Sequence, residues 1–320
     1  MSAFELKRFE PSSKKLSYLQ RSGETRVGAV LQDSKLNTAK YVLIGIEENT
    51  GPQANMGRVG SENAFKAFMR VFLNSQVHEQ QSMHSLAYLG KIVQLKSPQD
   101  QAEAATMVTE LDELVLKVLQ ENLHEDQIPI IVGGGHNNAL PLIRWAAQNS
   151  PISVINIDAH ADLRTTEKRH SGNSFSTAIQ EGHIQQYGVF GLHEAFNNTH
   201  IRSQLANPKI SHRFFEDYLQ GPHQLQDDVL GFVARQHNAV GLEIDMDSIA
   251  QMPSSALSPS GWSLDQIRAL ILKLGHIRPE IAYLNLTEAA PTDDKEDIIV
   301  GKALMPYKLW KVCGPPISLP

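Results

Sequence analysis

The chain has 320 residues, of which 41% are hydrophobic and 20% are charged, and its formal net charge is -6. This composition is typical of a globular protein with enough apolar residues for a sizeable core. The negative balance excludes a global basic field that would favour nucleic acid, and no apolar run is long enough to span a bilayer.

Short apolar runs alternate with helical stretches along the chain. We predict strands at 40–46, 91–95, 128–132, 152–157, 187–192, 239–244 and 281–286. We predict helices at 61–73, 99–123, 137–149, 223–236, 263–276 and 294–311. Repeated β-α units predict an α/β protein with a mostly parallel sheet covered by helices on both faces. We expect one domain over residues 1–320, with a motif-free N-terminal extension over 1–38.

Four predicted strands lead directly into ionisable side chains. The segments are IIVGGGHNN (130–138), INIDAHAD (155–162), GLEIDMDS (241–248) and YLNLTEAAP (283–291). Each segment alone also has a structural explanation, such as a turn or a cap. Ligands of parallel sheets bind at the carboxyl ends of the strands. We therefore expect one edge of the sheet to gather His136, Asp158, His160, Asp162, Asp245, Asp247 and Glu288.

The alternation of Asp158, His160 and Asp162 places their side chains on one side of an extended chain. Buried like charges repel one another and are costly to desolvate, so the cluster needs a positive partner. Carboxylates and imidazoles without a thiolate suit ions such as Mn²⁺. Six such ligands exceed the number that a catalytic zinc normally uses. Two ions would use all six and could hold a hydroxide between them as a nucleophile.

The motifs GGGH, DAHAD, EIDMD and TEAAP, in this order, resemble those of the ureohydrolases, which include arginase, agmatinase and formimidoylglutamase. The resemblance covers about residues 40–311. It implies a three-layer arginase-type fold with a central, mostly parallel sheet of eight strands and two Mn²⁺ ions per chain. One ion would be held by His136, Asp158, Asp162 and Asp245. The other would be held by Asp158, His160, Asp245 and Asp247, with Asp158 and Asp245 bridging.

The resemblance also implies the roles of two catalytic residues. Asp162 would move the proton of the nucleophile to the leaving nitrogen, and Glu288 would hold the cationic amidine or guanidine group of the substrate. The implied reaction is hydrolysis of a C–N bond in a small molecule, without a nucleic-acid or membrane partner. Members of the family often form trimers or hexamers, which leaves a homo-oligomer open.

Two segments are similar to the formimidoylglutamase branch, namely GPQANMGRVG (51–60) and the SGNSF stretch (171–175). Phe175 stands where similar arginases carry a proton-transferring histidine, and His193 replaces an arginine of the family pattern. The branch implies that N-formimidoyl-L-glutamate is cleaved to L-glutamate and formamide. Its two carboxylates would need polar or cationic partners. We predict substrate contacts from Asn173, Arg58, His170 and Arg164.

Three alternatives remain open from the sequence. An agmatinase, an arginase or another guanidine hydrolase would share the metal ligands and differ in the pocket. A mononuclear zinc deacetylase would leave His136 and Asp162 without ligand roles. A non-catalytic, metal-stabilised binding protein would keep the cluster without turnover. The absence of an apolar leader over residues 1–15 and the single cysteine, Cys313, favour a reducing, cytoplasmic setting.

Overall fold

The structure is a computed structural model that describes residues 2–11, 15–77, 85–277 and 280–304. The strands are β1 Phe4–Arg8, β2 Tyr41–Glu47, β3 Leu86–Gln94, β4 Ile128–Val132, β5 Ile152–Ile157, β6 Ile184–Leu192, β7 Ile210–Phe214, β8 Val240–Asp245 and β9 Ile281–Thr287. The helices are α1 Val27–Gln32, α2 Thr50–Ala54, α3 Ala64–Phe72, α4 Gln101–Asn122, α5 Ala139–Ala146, α6 Ser174–Gln180, α7 Thr199–Leu205, α8 Phe215–Gln220, α9 Leu225–Val233, α10 Leu264–Ile277 and α11 Asp294–Ala303.

The strands form one sheet in the order β1-β3-β2-β4-β9-β8-β5-β6-β7. Strands β2 to β9 pair with one another in parallel, which confirms the expected parallel sheet of eight strands. A ninth strand, β1, adds an antiparallel edge next to β3. Its sequence, FELKR, contains two apolar residues among charged ones and so gave no strand signal. The N-terminal segment therefore contributes to the sheet although it carries no motif.

Two apolar cores lie on opposite faces of the sheet, and central strands such as β2 contribute side chains to both. On β2, Tyr41 and Leu43 belong to one core, and Val42 and Ile44 belong to the other, as the period of two in a strand requires. Helices α1, α3 and α8 to α11 cover the first face, and α4 to α7 cover the second. The expectation of helices on both faces is confirmed.

The predicted strands at 128–132 and 152–157 have the observed bounds, and the other predicted strands overlap observed ones. Several short elements were not predicted from the sequence, among them β7 and α2. Strand β7 is a polar edge strand, ISHRF, and α2 contains a Gly-Pro pair that indicates a turn. The predicted helix at 294–311 is α11, which ends at Ala303, and 305–311 lie outside the described residues. In the described part of the chain, no helix combines the length and apolarity needed to cross a membrane.

The strands that precede the four motifs are consecutive neighbours in the sheet, in the order β4-β9-β8-β5. Val132 pairs with Leu286, Asp245 with Thr287, and Ile157 with Ile244, so these strands end at the same level. The fold therefore brings the four ionisable segments together at one edge, as the strand-end rule predicts.

Candidate metal centre

The structure gathers the six predicted ligands into two adjoining groups. His136, Asp158, Asp162 and Asp245 form the first group, and Asp158, His160 and Asp247 form the second. Within each group, one ligand atom per residue lies within 4.8 Å of the others. Asp158 belongs to both groups, as predicted for a bridging ligand.

Asp245 lies in one ligand group, whereas the family resemblance implies that it contacts both ions. Its Oδ2 lies 3.0 Å from His136 Nδ1, in the first group. Its Oδ1 accepts a hydrogen bond of 2.8 Å from the backbone N–H of Asp247. The geometry therefore places Asp245 in the first group only, and its bridging role stays a prediction.

The ring of His136 is fully buried among carboxylates. Its Nδ1 lies 3.0 Å from Asp162 Oδ2 and 3.4 Å from Asp158 Oδ2. Neither ring nitrogen has a hydrogen-bond partner within the described residues, although buried polar atoms are normally paired. An unpaired imidazole nitrogen facing several carboxylate oxygens fits a metal ligand set of the hard or borderline class.

The charge of the cluster agrees with this fit. Burial, followed by the nearby Asp247 and Asp158, raises the pKa of Asp245 well above its usual value. Burial and then Asp158 also raise the pKa of Asp162. Burial alone would lower the pKa of His136, but the surrounding carboxylates raise it well above normal. Carboxylates that resist ionisation together are those that a bound cation would stabilise in the charged form.

Both predicted catalytic residues adopt left-handed backbone conformations, with φ of 50° at Asp162 and 65° at Glu288. Such conformations in residues other than glycine cost on the order of 1–3 kcal/mol and concentrate at functional sites. Glu288 Oε1 accepts a 2.6 Å hydrogen bond from the backbone N–H of His136, whereas its buried Oε2 has no partner among the described residues. Burial raises the pKa of Glu288 to about 8.

The backbone of Glu288 contacts the loop that contains Ser255, and that loop contacts the loop that contains Arg58. The N–H of Ser255 donates to the carbonyl of Glu288 at 3.0 Å, and the N–H of Arg58 donates to the carbonyl of Ser255 at 3.1 Å. The Arg58 side chain instead turns to Glu296 on α11, with an N–O distance of 3.1 Å. Its guanidinium is thus already paired with a carboxylate, and its substrate contact stays a prediction.

The loop from 164 to 173 contains the other predicted substrate residues. Asn173 is fully buried, and its amide bonds to Arg169, to the N–H of His170 and to the carbonyls of Thr165 and Lys168. His170 Nδ1 accepts a 3.1 Å hydrogen bond from the N–H of Gly172. Both side chains therefore shape the loop. Arg164 is exposed.

The two positions that depart from the family pattern are occupied by packed rings. Phe175 is fully buried, and its ring meets the His136 ring edge-on at 5.1 Å, so it supports that ligand's ring. His193 stacks on Phe196 at 5.0 Å, and Phe196 in turn stacks on His160 at 5.4 Å. An aromatic row therefore flanks the second group where the family pattern has an arginine.

Two buried carboxylates near His136 were missed by sequence reasoning. Glu243 Oε2 lies 3.5 Å from His136 Nε2, and the carboxylate accepts hydrogen bonds of 2.7 Å from Tyr283 Oη and Asn285 Nδ2. Glu48 contacts the GGGH turn. The available signal was a charged residue inside or directly after an apolar strand, since such residues are seldom fully buried without a partner.

Residues 36–306 match the sequence profile of the Arginase family. The chain belongs to the arginase family. This arginase-family chain is similar to a formimidoylglutamase of Geobacillus thermodenitrificans, with 27% identity over 261 residues that make up 79% of this chain and 78% of the relative. A formimidoylglutamase of Staphylococcus carnosus is 26% identical over 291 residues, or 87% of this chain and 85% of the relative.

Solved structures show the same fold. Formimidoylglutamase from Bacillus subtilis has a TM-score of 0.77 at 18% identity and covers 94% of this chain and 96% of its own. Trypanosoma cruzi formiminoglutamase, solved with Mn²⁺, has a TM-score of 0.72 at 18% identity, with 92% of this chain and 100% of that chain covered. The fold of this arginase-family chain is therefore the arginase-type α/β fold that its motifs implied.

We predict that single substitutions will separate the two groups. Asp158→Ala should abolish tight binding of both ions because Asp158 belongs to both groups, whereas His160→Ala should leave one Mn²⁺ per chain. Elemental analysis after Mn²⁺ loading and desalting gives the count, and circular dichroism checks folding. Asp245→Ala should keep one ion, because Asp245 belongs to the first group only. Two ions retained by folded Asp158→Ala would contradict its shared position.

His170 provides a pH prediction. Burial, followed by Arg164 and Arg169, lowers the pKa of His170 to about 4, whereas the unfolded chain protonates it near its usual value. The folded state therefore binds fewer protons than the unfolded state as the pH falls, and stability declines between about pH 6.5 and about pH 4.

His170→Asn keeps an acceptor for the Gly172 N–H and removes the titration. Its melting temperature should fall less than that of wild type between about pH 7 and about pH 5, as measured by thermal circular dichroism. The exposed His200→Asn serves as the control and should follow the wild type. An equal decline in wild type and His170→Asn would show that this histidine does not cause the effect.

Proposed function

We propose that this arginase-family protein hydrolyses N-formimidoyl-L-glutamate to L-glutamate and formamide with two Mn²⁺ ions per chain. The observation that carries the proposal is the pair of adjoining ligand groups that share Asp158, beside a buried glutamate with an unpaired oxygen. The similarity to two formimidoylglutamases, each aligned over more than two thirds of this chain, supports the substrate.

In this proposal, the first group holds one ion and the second group holds the other. The unpaired nitrogens of His136 and the unpaired Oδ1 of Asp247 support these roles. The participation of His136 and Asp162 in the first group favours a binuclear centre over a mononuclear deacetylase site. Two bound ions would lower the pKa of water and so supply a nucleophile at neutral pH.

The chain's own residues then orient the substrate and move protons. Glu288 pairs with the cationic amidine group and holds its carbon next to the nucleophile. The Asp162 carboxylate receives the proton of the attacking water and delivers it to the nitrogen that leaves with glutamate. The water oxygen joins the amidine carbon, the bond from that carbon to the glutamate nitrogen breaks, and formamide is released.

The carboxylates of the substrate need partners on the loop at the rim. We assign the first contact to Arg164, because its side chain is exposed whereas Arg58 is held by Glu296. Asn173 and His170 support this contact through the loop that they stabilise.

We also propose a single domain and a cytoplasmic location, supported by the one continuous sheet and the single cysteine. A homo-oligomer stays a prediction.

Substrate specificity is tested by side-by-side assays of Mn²⁺-loaded protein with N-formimidoyl-L-glutamate, arginine, agmatine and guanidine, with metal counted in the same samples. We expect formamide from the first substrate alone, at two ions per chain. Urea from arginine or agmatine would retain the centre and refute the assigned substrate. Two bound ions without turnover of any of the four would refute the proposed activity.

Glu288→Gln tests the amidine contact. The variant should keep two Mn²⁺ ions because Glu288 belongs to neither ligand group. It should lose about 100-fold or more in kcat/KM, because a bound amidinium draws Glu288 into its ionised form whereas glutamine cannot supply that charge. Steady-state kinetics and metal analysis measure both effects. Activity equal to wild type at full metal loading would remove Glu288 from the mechanism.

A further inference from the structure

Glu48 is a fully buried carboxylate that follows β2 and belongs to neither ligand group. It accepts five hydrogen bonds from uncharged donors. Its Oε2 accepts from the N–H groups of Thr50 and Gly51, at 2.6 Å and 3.2 Å. Its Oε1 accepts from the Gly135 N–H at 2.7 Å and from the side-chain amides of Asn138 and Asn137, at 2.9 Å and 3.3 Å. One carboxylate thus joins the first turn of α2 to the GGGH turn.

The two turns pack so closely that two of their glycines leave no room for a side chain. A methyl group on Gly51 would lie 1.7 Å from Asn137 Oδ1. Gly134 has φ of +73°, and a methyl group there would lie 2.8 Å from Glu48 Oε1. The glycines of the motif therefore let the turn wrap closely around this carboxylate, and a shift of Glu48 must shift the turn.

The next amide along the turn belongs to the candidate centre. Gly135 N–H donates to Glu48, and the following N–H, that of His136, donates to Glu288 at 2.6 Å. The His136 side chain faces the first ligand group. Two consecutive backbone amides are therefore held by two carboxylates that follow different strands, and the second of these amides belongs to the candidate ligand His136.

We propose that Glu48 is a positioning residue that sets the His136 turn, and through it both the first metal group and the orientation of Glu288. The proposal rests on the proposed function only in taking the His136 group as a metal site. Residues that hold a metal ligand in place typically change metal affinity by about 10- to 100-fold when they are replaced. Among the residues that the structure describes, none links Glu48 directly to His160 or Asp247, so binding at the second group should be unchanged.

Glu48→Gln is the sharpest test because it preserves shape. A glutamine has one acceptor oxygen and an NH₂ group, whereas the site offers three N–H donors on one side and two on the other. In either amide orientation, at least two donors face the NH₂ group, so the turn must move. Glu48→Asp keeps the charge and both acceptors but withdraws them by one methylene.

The experiment is a calorimetric titration, in which Mn²⁺ alone is added to the metal-free full-length protein and the heat of binding is measured. Variants His136→Ala and His160→Ala assign the binding steps to the two groups. We expect Glu48→Gln to weaken the His136 step by about tenfold or more, with Glu48→Asp intermediate and the His160 step unchanged. Because no substrate is used, failure of the proposed activity and failure of this inference give different results.

Asp228→Asn is the matched control, since it removes a carboxylate paired with Arg213 far along the sheet, beside β7. It should leave both binding steps at wild-type values even if stability falls. If Glu48→Gln does not fold, Glu48→Asp decides by the same criterion. Unchanged binding in the folded variants, or equal weakening of both steps, would overturn the proposal.

Discussion

The structure depends on one constraint, the burial of several carboxylates and two imidazoles at the carboxyl ends of four adjacent strands. No apolar packing compensates for such a concentration of negative charge. The raised pKa of Asp245 reflects the free-energy cost of ionising a carboxyl group that is buried beside other carboxylates. The fold fixes the positions of these side chains, including the left-handed backbone at Asp162 and Glu288. Bound cations would then balance the negative charge of the carboxylates.

The sequence predicted the buried strands and the ionisable cluster better than it predicted the edge strands and the residues that pack around the cluster. Strands β4 and β5 were predicted at their observed bounds because short runs rich in Ile and Val indicate buried parallel strands. The six predicted ligands lie together because the strand ends meet at one edge. Edge strands β1 and β7 were missed, since pairing with one neighbour requires little apolar character.

The positions of side chains within loops were beyond the reach of sequence patterns. Arg58 was expected at the substrate, but the partner that it meets, Glu296, is distant in the chain. Asn173 was expected at the pocket, yet its amide closes its own loop through local hydrogen bonds. Glu48 and Glu243 carry no motif because only the tertiary fold reveals the donors around a buried carboxylate. Such contacts arise from packing between elements, which periodicity does not encode.

The strand order has a consequence for biosynthesis. His136 and Glu288 contact each other although 152 residues separate them in the chain, because β9 inserts between β4 and β8. Contacts of such long range form late, and a chain emerging from the ribosome presents its N-terminal half first. The first strand pairs can assemble during translation, but the centre is complete only after β9 has left the exit tunnel. The strand that brings Glu288 into contact with His136 is therefore added late in the folding of this chain.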